Sequence, residues 1–498
     1  MRRRATEARF HFLKLVLVGL AGVAALDLAA CRQPNRKPAE TAAAPQPAAP
    51  KPPPPPPAPL RGQDASMALD ALRSAPDHGF PDKRFHTKAI ARLLASDAPA
   101  DRAEGERQLR AAVLDYARAQ HGLTIPAAAL PADWSRPSPA YDAEAELNAA
   151  LRGGRLRVWL DELPPQTSAY QALQAAYVAA KADAASRPRV KAAPLEIGDQ
   201  DAATEALRKR LALEEPPPAD IPADAPVDED LIAALRAYQT DHDLEPTGIL
   251  DEATVHRLNA PVMGPANRLR VNMERLRWLP RPEPARRIDV NIAAAEMDYF
   301  RDGEVASHML AVSGKLGDET PIVDSAISSI VLNPPWYVPS ELARREIIPK
   351  GGAYLRARGF VWRDGRLIQR PGPRAALGLV KFDFPNPYAV YLHDTPTKST
   401  FSQSQRTASH GCVRLEHAVA LARTLVEDEP GGSAARVDRI LATGKTARLT
   451  LSRPVPVRLM YLTAVPEAGA VRYLPDVYGW DPKLLALLDR YQAPRRPR

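Results

Sequence analysis

Apolar residues recur at helical spacing through the first half of this chain. Between about residues 63 and 213, sets such as Leu109, Val113 and Tyr116 keep the i, i+4, i+7 spacing that places side chains on one helix face. Breaks that contain Pro and Gly separate these sets, and the segments are rich in alanine. The pattern predicts a helical scaffold domain whose aromatic side chains belong to its core.

Residues 228–260 repeat the helical pattern on a smaller scale. Leu231, Leu235 and Tyr238 fall on one face of a predicted helix, and Asp251 is placed to cap a second helix. A Pro-rich stretch over residues 214–226 precedes them. We therefore expect a compact helical unit that a linker joins to the scaffold.

Beyond residue 280 the apolar spacing becomes that of strands. Apolar and extended runs are predicted at residues 288–292, 305–312, 327–332, 377–384, 388–392, 447–451 and 455–462. An insertion over roughly residues 336–376 interrupts them and carries Trp336, Tyr337, Tyr354 and Trp362. Its aromatic residues favour a lid over a site rather than a surface loop. The predicted fold class is α+β, with helical domains followed by a β-rich domain.

The N-terminus has the pattern of an export signal. Three arginines precede an apolar run from Leu15 to Leu26, which is too short to span a bilayer as a mature helix. Leu28-Ala29-Ala30-Cys31 resembles a bacterial lipobox, and Pro52–Pro57 favours an extended spacer. We expect a periplasmic lipoprotein anchored through Cys31. A soluble periplasmic protein with an ordinary cleaved signal, or an uncleaved anchor, stays as an alternative.

The net charge of the chain is weak evidence for the kind of partner. The formal net charge of +8 suits an anionic partner such as a cell-wall polymer, a membrane surface or nucleic acid. The basic residues are scattered, and no Lys/Arg run has interleaved aromatics. Nucleic acid is therefore not an expected partner.

The chemistry is concentrated between Tyr391 and Leu415. Cys412 is one of only two cysteines, and with Cys31 lipidated it has no disulfide partner in an oxidising compartment. His393 and His410 are candidate bases for its thiol. Two further features favour catalysis. A helix predicted from Glu416 would direct its positive end at the preceding loop, and Gly411 allows close approach of backbone amides to a substrate.

Other kinds of site fit this stretch less well. His393, His410, Cys412 and His417 could ligate a metal, but the paired Cys-x-x-Cys or His-x-x-x-His spacing of structural zinc sites is missing. A disulfide oxidoreductase would also need a Cys-x-x-Cys pair, and a serine hydrolase a Gly-x-Ser-x-Gly elbow. We expect neither a metal nor a cofactor.

His393, a gap of fifteen residues, Ser409-His410-Gly411-Cys412 and Arg414 together resemble the two-part motif of the L,D-transpeptidase (YkuD-domain) family. The resemblance extends to segments in the large Gram-negative branch of that family, at residues 270–278, 314–321, 333–339 and 381–386. Residues 228–260 resemble a small three-helix peptidoglycan-binding domain. Together with the helical scaffold and this small domain, the resemblance covers most of residues 65–480.

The resemblance implies roles for the motif residues. Cys412 would be the nucleophile, and His393 the general base and acid. Ser409, His410 and Gly411 would shape the pocket and oxyanion region, while Arg414 would hold the site or a substrate carboxylate. The donor would be a peptidoglycan tetrapeptide stem, attacked at its third residue with loss of D-alanine. An amine of a second stem would then form a 3→3 cross-link.

The resemblance also implies a domain order and partners. We expect peptidoglycan stems and glycan as partners, and a membrane contact through the N-terminal lipid. The expected segments are a signal peptide (1–30) ending at Cys31, a tether (31–61), a scaffold domain (62–214), a peptidoglycan-binding domain (226–262), a catalytic domain (285–465) with a capping insertion (336–376), and a tail (466–498).

Two alternatives remain open from the sequence. Water could reach the thioester before an amine, which would make the protein an L,D-carboxypeptidase or a hydrolase with the same Cys412 and His393. The protein could also be a wall-binding scaffold without catalysis, although both reactive residues are present.

Overall fold

Helices precede strands along the chain, and the predicted α+β class is confirmed. The computed structural model describes residues 56–134, 141–185, 190–212, 222, 224–242, 244–259 and 263–493. The signal segment, Cys31, most of the tether and the basic C-terminal end lie outside the described residues. Within the described ranges, no helix is both long enough and apolar enough to cross a membrane.

The helices of the first half bury the apolar faces that the sequence pattern marks. Leu109, Val113 and Tyr116 all lie in one core. The helices are α1 (Gly62–Arg73), α2 (Thr87–Leu94), α3 (Pro99–Gln120), α4 (Ala143–Arg152), α5 (Leu156–Glu162), α6 (Ser168–Ala185), α7 (Ala202–Leu211), α8 (Glu229–Asp241), α9 (Glu252–Asn259) and α10 (Pro265–Arg277).

Aspartate caps set where several of these helices begin. Asp142, Asp201 and Asp228 accept hydrogen bonds from backbone N–H groups in the first turns of α4, α7 and α8. Asp251 accepts one from the N–H of Thr254, so the predicted cap of α9 is confirmed. Each cap satisfies a backbone donor that would otherwise lack an intrahelical partner.

A buried polar cluster joins the scaffold helices to α10, which leads into the sheet. Arg277 pairs with Glu274 at 3.0 Å and donates to the Tyr170 hydroxyl at 2.8 Å and to the side-chain oxygen of Gln120 at 3.0 Å. His78 adds its carbonyl as a further acceptor. A buried charge is tolerated only when such partners surround it, so this cluster fixes the junction in one arrangement.

The second half is built around a nine-stranded sheet in the order β10-β3-β11-β9-β8-β4-β12-β1-β2. Strand β2 also pairs with β3, so eight of these strands close into a ring with β10 attached to β3. The strands are β1 (Arg287–Asn291), β2 (Glu296–Arg301), β3 (Glu304–Gly314), β4 (Val323–Leu332), β5 (Trp336–Tyr337), β6 (Phe360–Arg363), β7 (Arg366–Gln369), β8 (Val380–Asp383), β9 (Leu392–His393), β10 (Thr407–Ser409), β11 (Val413–Leu415), β12 (Ala447–Met460), β13 (Ala464–Glu467) and β14 (Ala470–Tyr473).

The predicted strands differ from the structure in two places. The run at residues 388–392 forms a strand only at its end, in β9, because a turn occupies Pro387 and Tyr388. The runs at 447–451 and 455–462 belong to one strand, β12, with an irregular register between Thr450 and Val455. Helices α13 (Ala418–Glu427), α14 (Ala434–Ala442) and α15 (Trp480–Gln492) complete this half.

The insertion over residues 336–376, called the lid below, has a small core of its own. Strands β5, β7 and β6 form a three-stranded sheet. The short helices α11 (Ser340–Leu342) and α12 (Gly351–Ala357) lie in the same segment. Val338, Leu342, Ile347, Phe360 and Leu367 pack together beneath them. A segment with its own core keeps a defined shape, so the lid presents fixed side chains to its surroundings.

Candidate active site

A parallel pair of short strands brings together residues that are far apart in the sequence. Strand β9 ends at His393, and β11 begins directly after Cys412. Their register pairs His393 with Arg414, which places Cys412 opposite Tyr391. Paired residues share a face of the sheet, and so does every second residue along a strand. Tyr391, His393, Cys412 and Arg414 therefore form one patch, and all four line the same cavity.

Cys412 is a free cysteine in this patch, and the residue as a whole is partly exposed. Burial of the sulfur raises the pKa of Cys412, while hydrogen bonds from Tyr391 and the charges of Lys381 and Arg414 oppose the shift without cancelling it. The thiol is therefore mostly protonated at neutral pH. Because only the thiolate is a strong nucleophile, reaction requires a nearby base.

His393 has the protonation state of such a base. Its Nδ1 lies 2.5 Å from the carbonyl oxygen of Asp394. A carbonyl only accepts hydrogen bonds, so Nδ1 carries the proton and Nε2 keeps its lone pair. Burial and then the charge of Arg414 lower the pKa of His393 to about 3, so the ring is neutral at pH 7. Among the described residues no hydrogen bond joins His393 to Cys412, a common situation before substrate binds.

Asp394 holds this imidazole in place, and the sequence alone did not single it out. Its carboxylate accepts hydrogen bonds from the N–H of Leu379 and from Lys398 Nζ, at 2.8 and 2.7 Å. Its own N–H donates to the carbonyl of Val380 at 2.8 Å. Gly378 has a φ of +59° there, and a Cβ would lie 2.3 Å from the Asp394 carboxylate. The Asp394 carbonyl that orients His393 is thus fixed on several sides.

The loop that carries Cys412 is held by hydroxyl groups. Ser409 Oγ donates to the carbonyl of Cys412 at 2.6 Å. Thr320 Oγ1 donates to the carbonyl of Gly411 at 2.8 Å and accepts from the N–H of Gly314 at 2.8 Å. Gly411 has a φ of +96°, a conformation that favours glycine. Ser409 and Gly411 therefore shape the backbone next to the thiol, and Thr320 is a supporting residue that the motif does not contain.

A cavity of about 450 Å³ lies between the patch and the lid. Trp336 and Tyr354, two of the four predicted lid aromatics, line it. Tyr337 and Trp362 do not; each is 59% exposed and lies away from the cavity wall. Trp336 and Tyr354 thus lie where a lid would place them. Tyr337 follows Trp336 in β5 and therefore points to the opposite side of the strand, whereas Trp362 lies next to the β6–β7 turn, outside the cavity wall.

His410 faces the lid and not the thiol. Its Nε2 lies 2.9 Å from a carboxylate oxygen of Glu346, which belongs to the lid. Burial alone would raise the pKa of Glu346, but His410, Arg345 and Lys315 outweigh burial and lower it. The His410–Glu346 contact therefore links the thiol-bearing loop to the cover above it.

The same carboxylate belongs to a group that could ligate a metal ion. Asp318, Glu346 and His410 each place one ligand atom within 4.8 Å of the others. However, Arg345 already pairs with both carboxylates, and Lys315 lies 3.4 Å from Asp318. These cations supply the positive charge that a metal would otherwise provide.

The predicted helix does not begin beside the thiol. Strand β11 lies between Cys412 and α13, which starts at Ala418. A three-residue strand is about 10 Å long, and the effect of a helix dipole falls off within the first turn. The sequence predicted two groups that could activate the thiol, an imidazole and the positive end of a helix. Of these two, the imidazole of His393 lines the same cavity as the thiol.

Comparison with known families divides the chain into three matched regions. Residues 285–440 match the family model described as the L,D-transpeptidase catalytic domain (YkuD). Residues 61–176 match a scaffold domain, and residues 200–258 match a candidate peptidoglycan binding domain.

Parts of the chain are also similar to individual proteins. A Haemophilus influenzae protein named as a candidate L,D-transpeptidase is 32% identical over 237 residues, covering 43% of this chain and 48% of that protein. The chain thus spans about half the length of this curated relative. Similar solved structures include an L,D-transpeptidase from Stackebrandtia nassauensis (14% identity, 54% of this chain and 97% of that one, TM-score 0.17) and one from Mycobacterium smegmatis (18% identity, 35% and 58%, TM-score 0.20). Residues 285–440 are therefore similar to the catalytic domain of the L,D-transpeptidase (YkuD) family, and residues 200–258 are similar to a peptidoglycan-binding domain.

Proposed function

We propose that this protein is a peptidoglycan L,D-transpeptidase that forms 3→3 cross-links through a thioester on Cys412. The observation that carries the proposal is the register of β9 and β11, which puts a neutral imidazole and a thiol on one face of the sheet beneath a lid. The catalytic family of residues 285–440 supports the same chemistry.

In the acylation step, Cys412 Sγ attacks the carbonyl of the third residue of a tetrapeptide stem. His393 Nε2 takes the thiol proton as the sulfur–carbon bond forms, and it returns this proton to the nitrogen of D-alanine as that residue leaves. The backbone N–H groups of Gly411 and Cys412 are proposed to stabilise the oxyanion. Arg414, paired in register with His393, adds positive charge beside the developing negative charge.

In the second step, an amine of another stem attacks the thioester. His393 takes a proton from that amine, the sulfur–carbon bond breaks, and the thiol recovers its proton from the imidazole. Water in place of the amine would give a tripeptide and make the protein an L,D-carboxypeptidase. The two outcomes share the acyl-enzyme and differ only in the acceptor.

Incubation with purified muropeptide tetramers, followed by mass spectrometry of the products, tests this function. We expect cross-linked dimers and free D-alanine from the wild type, and neither from Cys412→Ser, because a serine hydroxyl is a far weaker nucleophile beside the same base. Tripeptides without dimers would favour the carboxypeptidase. An unchanged tetramer with the wild type, or full turnover by Cys412→Ser, would refute the proposal.

The remaining domains are proposed to bring this site to its polymer. A scaffold over residues 62–214 and a peptidoglycan-binding domain over residues 226–262 would hold the catalytic domain of residues 285–465 against the wall. The matched scaffold and peptidoglycan-binding models support this division. A lipid on Cys31 would anchor the protein in the periplasm, with the Pro-rich tether as a spacer.

A further inference from the structure

The lid carries most of the net positive charge of the chain. Residues 336–376 contain nine Arg or Lys and three Asp or Glu, a net charge of +6, and the whole chain has +8. Nine of the 67 Arg and Lys lie in the lid, so the basic residues themselves are spread along the chain, but the lid has few acidic residues to balance its share. One sign of charge around a cavity raises the local concentration of ligands with the opposite sign.

Three of the lid cations line the cavity and form no ion pair with the described carboxylates. Lys350, Arg358 and Arg374 all border the cavity that contains Cys412, and all are exposed. Among the described residues, none of the three forms an ion pair with a carboxylate. They are consequently available to a negatively charged ligand.

The carboxylates that border the same cavity are already engaged. Arg345 pairs with both Asp318 and Glu346, at 3.1 Å each. Glu341 pairs with Arg344 at 2.6 Å. Because these carboxylates already pair with other cations, they do not neutralise Lys350, Arg358 and Arg374.

An aromatic ring positions two of the three cations. Lys350, Tyr354 and Arg358 follow each other at four-residue spacing along α12 and its flanking residues, so they share one face. Lys350 Nζ lies 5.1 Å from the centre of the Tyr354 ring, and Arg358 Cζ lies 5.8 Å from it. Cation–π attraction at these distances holds both charges beside a ring that itself lines the cavity.

We propose that Lys350, Arg358 and Arg374 bind carboxylates of the peptide stem and make the site prefer acidic stems over amidated ones. This inference rests on the proposed function and assigns a specificity role to the lid. A tetrapeptide stem ends in a carboxylate one residue beyond the attacked carbonyl. A stem seated with that carbonyl at Cys412 therefore brings negative charge into the cavity that these cations border.

Charge removal inside and outside the cavity gives a matched test. Lys350→Gln/Arg358→Gln removes two cavity cations, and Arg363→Gln/Arg366→Gln removes two exposed cations of the β6–β7 turn that do not line the cavity. KM and kcat would be measured for a tetrapeptide stem and for the same stem with amidated carboxylates, by mass spectrometry of the released fourth residue. The ratio between the two stems does not depend on the fraction of folded enzyme.

We expect the wild type and the turn variant to show a KM about 10-fold lower for the acidic stem, as two exposed ion pairs allow. The cavity variant should lose this preference with kcat within about 2-fold, and salt near 0.5 M should weaken the preference in the wild type. Retention of the preference by the cavity variant, or an equal loss in the turn variant, would overturn the inference. If the wild type processed neither stem, the proposed function would fail, and calorimetric binding of the two stems would decide the charge preference separately.

Discussion

Lowering the pH from 7 to 5 tests whether His393 acts as a neutral base. An imidazole with the ordinary pKa of 6.5 would be about 76% neutral at pH 7 and about 3% neutral at pH 5, so a rate that needs the neutral ring would fall about 25-fold. Burial and the charge of Arg414 lower the pKa of His393 to about 3. The ring then stays about 99% neutral at pH 5. We therefore expect the acylation rate to change by less than about 2-fold between these pH values.

The assay is the release of D-alanine from a tetrapeptide stem, as kcat/KM at limiting substrate, between pH 5 and pH 8. Substrate carboxylates titrate near pH 4 and remain ionised throughout this window. A fall of about 10-fold or more with a midpoint near pH 6.5, in protein that remains folded, would refute the neutral-base mechanism. Such a result would instead indicate an imidazole with ordinary exposure to water.

The folded fraction must be measured at each pH, because the burial of neutral histidines makes the folded protein less stable in acid. His78 and His393 both have a folded-state pKa of about 3, lowered by burial. The unfolded chain binds the proton more readily, so their stabilising effect is complete above pH 6.5 and is lost as the pH falls toward 3. At pH 5 the free energy of unfolding is lower by about 2 kcal/mol for each of these two histidines. Circular dichroism at every pH, with recovery of activity at pH 7, separates this effect from catalysis.

Two further predictions concern the lid and the N-terminus. Glu346→Gln weakens the contact with His410, so we expect hydrogen exchange over residues 343–357 to accelerate and KM to rise about 2- to 5-fold. Glu341→Gln, in the same lid, is the matched control, and exchange equal to that control would contradict a closing role for the His410–Glu346 contact. For the anchor, mass spectrometry of the mature N-terminus should find a diacylglyceryl-modified Cys31, whereas an unmodified terminus elsewhere would exclude lipidation.

Local patterns in the sequence were sufficient for much of the fold. The apolar spacing of Leu109, Val113 and Tyr116 marks a buried helix face, and Asp251 caps α9. Both features depend on residues a few positions apart, where helix geometry alone decides which side chains meet. Strand boundaries were less predictable: β12 runs through residues that the sequence divides, since pairing with β4 decides where a strand ends.

The candidate site was predicted in its residue types but not in its arrangement. The residue pattern placed His393, His410 and Cys412 in one stretch, and the resemblance to the L,D-transpeptidase motif assigned the base to His393. The parallel register of β9 and β11 puts His393 on the thiol face, while His410 turns to Glu346 in the lid. Asp394 gave only a weak signal, as a polar residue after the histidine, because its role depends on backbone partners distant in the chain.

The sequence by itself determined which reactive groups this protein has and that helical domains precede a β-rich one. Only the tertiary structure decided which groups meet, which lid aromatics face the cavity and which lid cations remain unpaired around Cys412. The physical reason is that helix periodicity and capping act over a few residues, whereas strand register and ion pairing join segments far apart in the chain. The chemistry between Tyr391 and Leu415 depends on contacts of this second kind.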